Sequence, residues 1–227
     1  RAGGSLAGHR RLVSELDTAT RRLRTSRRWL FDMDGTLTLA AHDFDAMRRT
    51  LSLPAGVPIL EALAAMPEQE QRHKRAELDA LELDMAGASR AQPGAVALLE
   101  ALLGAGRSLG IVTRNGREIA DATLRAAGLD GYFTPESIVS RDCAVAKPDP
   151  AGIDLVLRRW KADASRAVMV GDYRFDLQAG RAAGCLSVHL NVDDGQRWPE
   201  VTDLSVASLT ELQRWFEADR RPSVPTS

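Results

Sequence analysis

Short apolar runs alternate along this chain with longer segments in which apolar residues recur every three or four positions. An unbroken apolar run is typical of a strand buried on both faces of a parallel sheet, and the longer period is typical of amphipathic helices. Their alternation predicts an α/β fold, a Rossmann-like doubly wound parallel sheet. Strands are predicted at residues 29–33, 108–113, 137–139, 167–170 and 186–190, and core helices at 93–103, 117–127, 150–160 and 209–216, with a further helix that ends at 183.

The stretch between the first strand and the helix after Pro93 has a helical pattern throughout. Its apolar residues fall into three segments, at about 44–51, 59–63 and 68–85. We therefore predict a core formed by residues 28–37 and 91–220. A small all-helical segment, residues 38–90, is expected to be inserted after the first strand.

The amino end differs from the rest of the chain in charge. Residues 1–28 contain eight arginines against Glu15 and Asp17, although the whole chain has a net charge of −1. Such a segment is typical of a targeting peptide or of a basic docking arm. We favour an exposed amphipathic helix within a basic extension, residues 1–27. Its apolar residues would share one helical face: Leu12, Leu16, Ala19 and Leu23.

Composition narrows the class of protein and its partners. A hydrophobic content of 44% and a charged content of 27% are typical of a soluble globular protein. The small net charge gives no reason to expect nucleic acid or a membrane surface as partner, and no stretch approaches the roughly 20 apolar residues of a membrane span. Two cysteines, Cys143 and Cys185, favour a reducing compartment over a disulfide framework. We expect a cytoplasmic monomer or homodimer, or an organellar protein if the amino end is a targeting segment.

Two carboxylates mark the end of the first predicted strand. Asp32 and Asp34 begin on the same side of that strand, because side chains alternate along it. The Gly-Thr that follows breaks the strand at the edge where open α/β sheets place their ligands. Like charges so close are costly unless a cation joins them or one carboxylate holds a proton. The pair therefore predicts a functional site.

Three more polar motifs follow, each beside an apolar run or a helix start. Thr113 ends a strand in GIVTRNG, Lys147 lies in AKPDP, and Asp172 and Asp176 follow a strand in VMVGDYRFD. Together with DMDGTLT, these motifs in this order resemble those of the haloacid dehalogenase-like hydrolase superfamily, in its phosphatase branch similar to phosphoglycolate phosphatase. The resemblance covers about residues 28–216. It implies that the helical insert is a cap over the site, reduced in size.

The resemblance implies a Mg²⁺-dependent phosphatase that hydrolyses a small phosphorylated metabolite through an aspartyl-phosphate intermediate. Asp32 would be the nucleophile, and Asp34 the general acid and then the general base. Mg²⁺ would be held by Asp32, the backbone carbonyl of Asp34, and Asp172, which are oxygen ligands that suit a hard cation. Asp176 is expected beside the metal, where it would orient water or a ligand.

The other motifs would supply positive charge and hydrogen-bond donors to phosphate. By the same resemblance, Lys147 offsets the carboxylates and the phosphate, and Thr113 donates to a phosphoryl oxygen. Backbone N–H groups around Arg114 and Asn115, ahead of a helix, would complete the anion site. The side chain of Arg114 has two interpretations: it binds a substrate carboxylate or a second phosphate, or it is a solvated surface residue.

Three alternative functions remain open at this point. A phosphotransferase or phosphomutase of the same fold shares the aspartyl-phosphate step. A halide-releasing hydrolase uses no metal and generally lacks a carboxylate at the position of Asp34. A noncatalytic binding scaffold would not need the complete set of Asp, Thr and Lys motifs. Taken alone, Asp172 and Asp176 are typical of helix caps.

Overall fold

A six-stranded sheet with every strand parallel organises the part of the chain that the computed structural model describes, residues 16–39, 44–192 and 194–218. The strand order is β3-β2-β1-β4-β5-β6. The strands are β1 (Arg28–Phe31), β2 (Ser108–Val112), β3 (Ile138–Val139), β4 (Ala167–Gly171), β5 (Leu186–Leu190) and β6 (Leu204–Val206). The order reverses between β1 and β4, so their carboxyl ends define the crevice where such sheets bind ligands. The predicted Rossmann-like fold is confirmed.

Helices cover both faces of this sheet. They are α1 (residues 16–25), α2 (Phe44–Thr50), α3 (Ile59–Ala64), α4 (Glu68–Ala86), α5 (Ala95–Gly104), α6 (Arg117–Ala126), α7 (Ala151–Arg159), α8 (Arg174–Ala182) and α9 (Leu209–Glu217). Apolar residues of α5, α6 and α9 form a cluster with one face, and those of α7 and α8 form a cluster with the other. Within the described ranges, no helix combines the length and the apolar character needed to cross a membrane.

The central strand β1 is apolar because both of its faces are covered. Trp29, Leu30 and Phe31 are fully buried. Trp29 and Phe31 belong to the cluster on one face, and Leu30 belongs to the cluster on the other. The first carboxylate, Asp32, therefore comes where the chain leaves the sheet.

Strand boundaries show where the sequence pattern was insufficient. The edge strand β6 was not predicted, because three residues, with Leu204 and Val206 buried and Ser205 exposed, are too short for a recognisable period. It extends the sheet by pairing with β5. The first strand ends at Phe31 rather than at residue 33, because the turn that carries the two aspartates begins there.

The insert contains the three helices that its pattern predicts, α2, α3 and α4. Their buried side chains form a separate apolar cluster: Met47, Leu51, Leu53, Ile59, Ala62, Leu63 and Leu78. Its longest helix, α4, also packs against α6 of the core. Residues 40–43 and the side chain of Phe44 lie outside the described part of the chain. The division into extension, core and cap stays a prediction.

The amino-terminal helix α1 packs on the core with its apolar face. Leu23 is fully buried, Ala19 packs against the same cluster, and Leu16 is half exposed. Leu12, with the rest of residues 1–15, lies outside the described residues. The expectation of an exposed helix therefore needs correction for the described part, since one face of α1 belongs to the core.

Arginines of this segment bind backbone carbonyls of distant loops. Nε of Arg22 donates to the Ser165 carbonyl at 2.9 Å, and its Nη2 donates to the carbonyls of Ala164 at 3.4 Å and Gly184 at 2.5 Å. Nε of Arg24 donates to the carbonyl at the end of α9, that of Trp215, at 3.0 Å. Some of the arginines at the amino end therefore hold α1 against the core through hydrogen bonds.

Candidate active site

The turn after β1 carries two carboxylates into the crevice between β1 and β4. The Asp32 N–H donates to the carbonyl of Val170 at 2.9 Å, which extends the ladder by one residue. Asp34 and Gly35 follow, and Gly35 has a φ of +80°, a conformation that side chains with a Cβ rarely adopt. A Cβ at Gly35 would lie 2.2 Å from Oδ2 of Asp172. Glycine is therefore required for this turn to approach the end of β4.

Asp32, Asp172 and Asp176 form a carboxylate cluster at the ends of β1 and β4. An oxygen from each lies within 4.8 Å of the others. The almost fully buried ammonium of Lys147 lies 2.5 Å from Oδ1 of Asp32 and 2.6 Å from Oδ1 of Asp176. The other oxygen of Asp176 accepts the N–H of Tyr173 at 3.0 Å. The structure thus brings together four residues that the sequence assigns to the site.

Burial and neighbouring charges shift the pKa values of this cluster. Burial raises the pKa of Asp172 well above its ordinary value, and the charges of Asp32 and Asp176 raise it further. Burial and the charge of Asp32 raise the pKa of Asp176 to about 6, against the opposing effect of Lys147. Burial disfavours the charged form of Lys147, but Asp176 and Asp32 outweigh it and raise the pKa of its ammonium.

The donor set of this cluster fits a divalent cation. Carboxylate oxygens are the hard ligands that Mg²⁺ prefers, and a cation here would offset the mutual repulsion of these buried carboxylates. Asp172 is oriented by the hydroxyl of Thr36, which donates to its Oδ1 at 3.1 Å. Asp32, Asp172 and Asp176 all offer carboxylate oxygens to such an ion. Both oxygens of Asp176 also accept protein donors, Lys147 and the N–H of Tyr173.

The loop after β2, residues 113–115, faces the same crevice. Thr113 is buried, and its N–H donates to the Val139 carbonyl at 3.0 Å. Its Oγ1 accepts the N–H of Asn115 at 3.1 Å, so this N–H, which we expected to face an anion, is already engaged. The side-chain amide of Asn115 donates to Oδ2 of Asp34 at 2.7 Å. Asn115 therefore fixes the carboxylate predicted to be the general acid and base.

Arg114 is bound on three sides, so its interpretation as a solvated surface residue is wrong. Its Nη2 lies 2.9 and 2.7 Å from the two carboxylate oxygens of Glu61 in α3. Its Nη1 donates to the carbonyl oxygen of Lys147. The guanidinium also lies 4.8 Å from the ring centroid of Phe175. Arg114 thus ties the insert to the core beside the buried lysine.

A cleft of about 420 Å³ opens above these groups. All eight predicted site residues line it: Asp32, Asp34, Thr113, Arg114, Asn115, Lys147, Asp172 and Asp176. Its other side is formed mainly by the insert, with Arg48, Gly56, Pro58, Ile59, Leu60, Leu78 and Glu82. The volume is in the usual range for small-molecule sites.

Several residues of the cleft were not recognised in the sequence. Tyr173 and Phe175 lie within the last acidic motif, and their rings pack edge to face at 5.1 Å. Arg141 could have been found, because it follows β3 at the same edge of the sheet. Nothing in the local sequence distinguishes Glu61 and Glu82 from the other charges of the insert, since their contacts depend on how the insert lies.

Comparison with known proteins identifies the family. The family model described as haloacid dehalogenase-like hydrolase matches residues 45–184. An uncharacterised hydrolase of Saccharomyces cerevisiae is 30% identical over 192 residues, which cover 81% of this chain and 87% of the relative. The chain belongs to the haloacid dehalogenase-like (HAD-like) hydrolase family. The family model begins to match after Asp32 and Asp34. The place of these two residues in the candidate site of this HAD-like hydrolase therefore rests on their motif and geometry.

Two further similarities concern this HAD-like hydrolase. A phosphoglycolate phosphatase of Mesorhizobium japonicum is 30% identical over 179 residues, which cover 68% of this chain and 78% of the relative. Among solved structures, a hydrolase from Pseudomonas syringae matches with a TM-score of 0.71 and 22% identity, covering 86% of this chain and 99% of that one. At that identity the structural match shows the fold.

Proposed function

We propose that this HAD-like hydrolase is a Mg²⁺-dependent phosphomonoesterase in which Asp32 forms an aspartyl-phosphate. The observation that carries the proposal is the position of the Lys147 ammonium, which lies between Asp32 and Asp176 and lines the cleft. Preorganised positive charge at this point suits a phosphoryl group, which the carboxylates alone would repel.

Asp32 is the proposed nucleophile because, of the two carboxylates that pair with Lys147, it is the more exposed. Its side chain is 13% exposed, whereas that of Asp176 is 4% exposed. An ionised carboxylate needs no partner base to attack. The attack forms an O–P bond on Asp32 and breaks the bond between phosphorus and the ester oxygen, which leaves with the electron pair.

Asp34 is the proposed acid in this step and the base in the next. It gives its proton to the departing oxygen, and then takes a proton from the water that attacks the phosphoenzyme. That attack breaks the bond between phosphorus and Asp32 and releases inorganic phosphate. The amide of Asn115, 2.7 Å from Oδ2, fixes the carboxylate for both transfers.

Three groups would stabilise the negative charge of the phosphoryl group: a bound Mg²⁺, Lys147 and Thr113. Asp32, Asp172 and the backbone carbonyl of Asp34 would hold Mg²⁺, which supplies charge compensation to phosphoryl oxygens when bound. Lys147 supplies the protein's own positive charge. Because Thr113 accepts the N–H of Asn115, its hydroxyl proton can be donated to a phosphoryl oxygen.

A small phosphorylated metabolite is the proposed substrate class. The size of the cleft and the similarity to a relative named phosphoglycolate phosphatase support it. The insert, whose side chains line the cleft opposite the carboxylates, would act as the cap and contact the leaving group.

A panel of phosphate monoesters tests the proposal. We expect the wild type with Mg²⁺ to release inorganic phosphate from at least one member, and Asp32→Asn to release none. Transfer of the phosphoryl group to a second organic molecule, without inorganic phosphate, would favour the phosphotransferase alternative. No turnover of any monoester, or equal turnover by the variant, would contradict the proposed function.

A further inference from the structure

Arg141, just beyond the carboxyl end of β3, holds the backbone of the loop 113–115. Its backbone N–H donates to the carbonyl of Asn115 at 3.1 Å, and Nη1 of its side chain donates to the carbonyl of Arg114, also at 3.1 Å. Its side chain is 2% exposed and lines the cleft. One residue therefore contacts two consecutive carbonyl groups of the loop that carries Thr113.

These two contacts also set the directions of two amide N–H groups. In a planar trans peptide, the carbonyl group and the N–H that follows point in opposite directions and cannot turn independently. The Arg114 carbonyl thereby orients the N–H of Asn115, which donates to Oγ1 of Thr113. The Asn115 carbonyl orients the N–H of Gly116 in the same way. Arg141 thus fixes the peptide group whose N–H holds the hydroxyl of Thr113, and the peptide group that carries the N–H of Gly116.

The guanidinium of Arg141 is itself held by α4 of the insert. Its Nη2 lies 2.8 Å from Oε2 of Glu82, and its Nη1 lies 3.3 Å from Oε1. Nη2 also pairs with Asp79, one turn earlier on the same helix. Glu82 is buried, and breaking a buried charge pair is costly because it leaves an uncompensated charge. The position of Arg141 therefore depends on the position of α4.

A second contact links the insert to the same loop. Glu61 of α3 binds the side chain of Arg114, whereas Arg141 binds its carbonyl. The carboxylate of Glu61 is 42% exposed, so this pair is weaker than the buried one on α4. The buried contact is therefore the one that we expect to govern the loop.

We propose that Arg141 is a positioning residue that couples α4 to the loop 113–115, so that the loop has its anion-binding geometry only while α4 is docked on the core. The inference rests on the proposed function for the identity of the anion, a phosphoryl group. Because coupling between sites is reciprocal, phosphate bound at the loop stabilises the docking of α4 by the same factor.

The test compares the binding of inorganic phosphate, measured calorimetrically with Mg²⁺ present, in two variants of α4. Glu82→Gln keeps the shape of the side chain and removes the buried one of the two charges that hold Arg141. We expect it to bind phosphate about 5–150-fold more weakly, the usual range for coupled sites. The matched control, Glu68→Gln, breaks an exposed pair with Arg72 and should bind as the wild type does.

Amide NMR spectra separate positioning from a loss of folding. The resonances of Asn115 and Gly116 should shift in Glu82→Gln and in Arg141→Lys, while those of the central strands stay in place. The effects of these two substitutions on phosphate affinity should be clearly non-additive, since both break one chain of contacts. A folded Glu82→Gln with wild-type phosphate affinity and unmoved amides would overturn the proposal.

The wild type distinguishes this proposal from the proposed function. If it binds phosphate but hydrolyses no phosphate ester, the phosphatase proposal fails and the comparison of variants still decides the coupling. If it binds no phosphate with Mg²⁺ present, the coupling proposal is wrong as well.

Discussion

Gly35 is the residue on which the approach of the β1 turn to Asp172 depends. Its φ is +80°, and a Cβ there would lie 2.2 Å from Oδ2 of Asp172. In Gly35→Ala the backbone strain costs about 1–2 kcal/mol, and the clash displaces Asp172 in addition. Displacing a group at a metal site typically lowers metal affinity about 10–100-fold. We expect that loss when Mg²⁺ activation is titrated.

Gly128→Ala is the control for this substitution. Gly128 also has a positive φ, +69°, but a Cβ there would meet nothing within 4 Å. It should share the loss of stability and keep the Mg²⁺ response of the wild type. Equal Mg²⁺ affinities in the two alanine variants would show that the contact between Gly35 and Asp172 does not matter to the site.

Lys147→Ala should lower kcat/KM by about 10²–10³, because one preorganised charge contact usually contributes that much to a transition state. Steady-state kinetics on an aryl phosphate measure the effect, with circular dichroism to verify folding. The control is Lys74→Ala, which removes a lysine whose Nζ lies 2.9 Å from Glu77 on the surface of α4. Unchanged kinetics in a folded Lys147→Ala would remove Lys147 from the mechanism.

At the residue scale, motifs in the sequence identified residues that the structure places around one cleft, but not the partners of those residues. The carboxylates and Lys147 follow strands or open helices in recognisable motifs, and the structure gathers them around one cleft. The partners of Arg114 could not be predicted. Its contact with Glu61 joins residues that are far apart in the chain, and no local pattern records such a pair.

Helix α1 is held to the core partly by Arg22, whose guanidinium donates to three carbonyl groups. Hydrogen bonds to a charged group contribute about 1.5–3 kcal/mol each, so Arg22→Met should lower the free energy of unfolding by at least about 1.5 kcal/mol. Urea denaturation measures this. Arg21→Met is the control, because Arg21 is exposed on the same helix. Equal stabilities of the two variants would contradict a structural role for Arg22.

At the scale of elements, helices and strands with a clear apolar period could be predicted, and very short strands could not. The helices of the insert and the buried strands β1, β4 and β5 follow from their apolar spacing. Strand β6 has three residues and is defined by its pairing with β5, so its sequence alone carries too little signal. The packing of α1 depends on carbonyls of distant loops, which a charge count of the amino end cannot show.

At the scale of the whole molecule, the acidic cluster predicts a dependence on Mg²⁺. Removal of the metal with EDTA should abolish hydrolysis of an aryl phosphate, because the carboxylates would then repel the substrate with Lys147 alone to offset them. Added Mg²⁺ should restore the rate. Undiminished activity after EDTA, with no response to Mg²⁺, would contradict the metal assignment.

The contact between the insert and the core is the part of the architecture that could not be predicted from the sequence. The fold class and the position of the insert follow from alternation and length. Its contacts with the core include the packing of α4 against α6 and the ion pair of Arg141 with Glu82, which joins distant parts of the chain. No periodicity encodes such contacts. The residues of the insert that line the cleft could therefore be named only from the structure.

The division of roles between Asp32 and Asp34 is the central claim, and single-turnover kinetics test it most directly. Asp34→Asn keeps the nucleophile and loses the acid and base, which usually costs about 10²–10⁴ in rate. With an aryl phosphate, whose leaving group needs little protonation, phosphoenzyme should accumulate in Asp34→Asn, because water is no longer activated for the second step. No phosphoenzyme should form in Asp32→Asn. Phosphoenzyme in Asp32→Asn, or none in Asp34→Asn with equal losses for all leaving groups, would contradict the account.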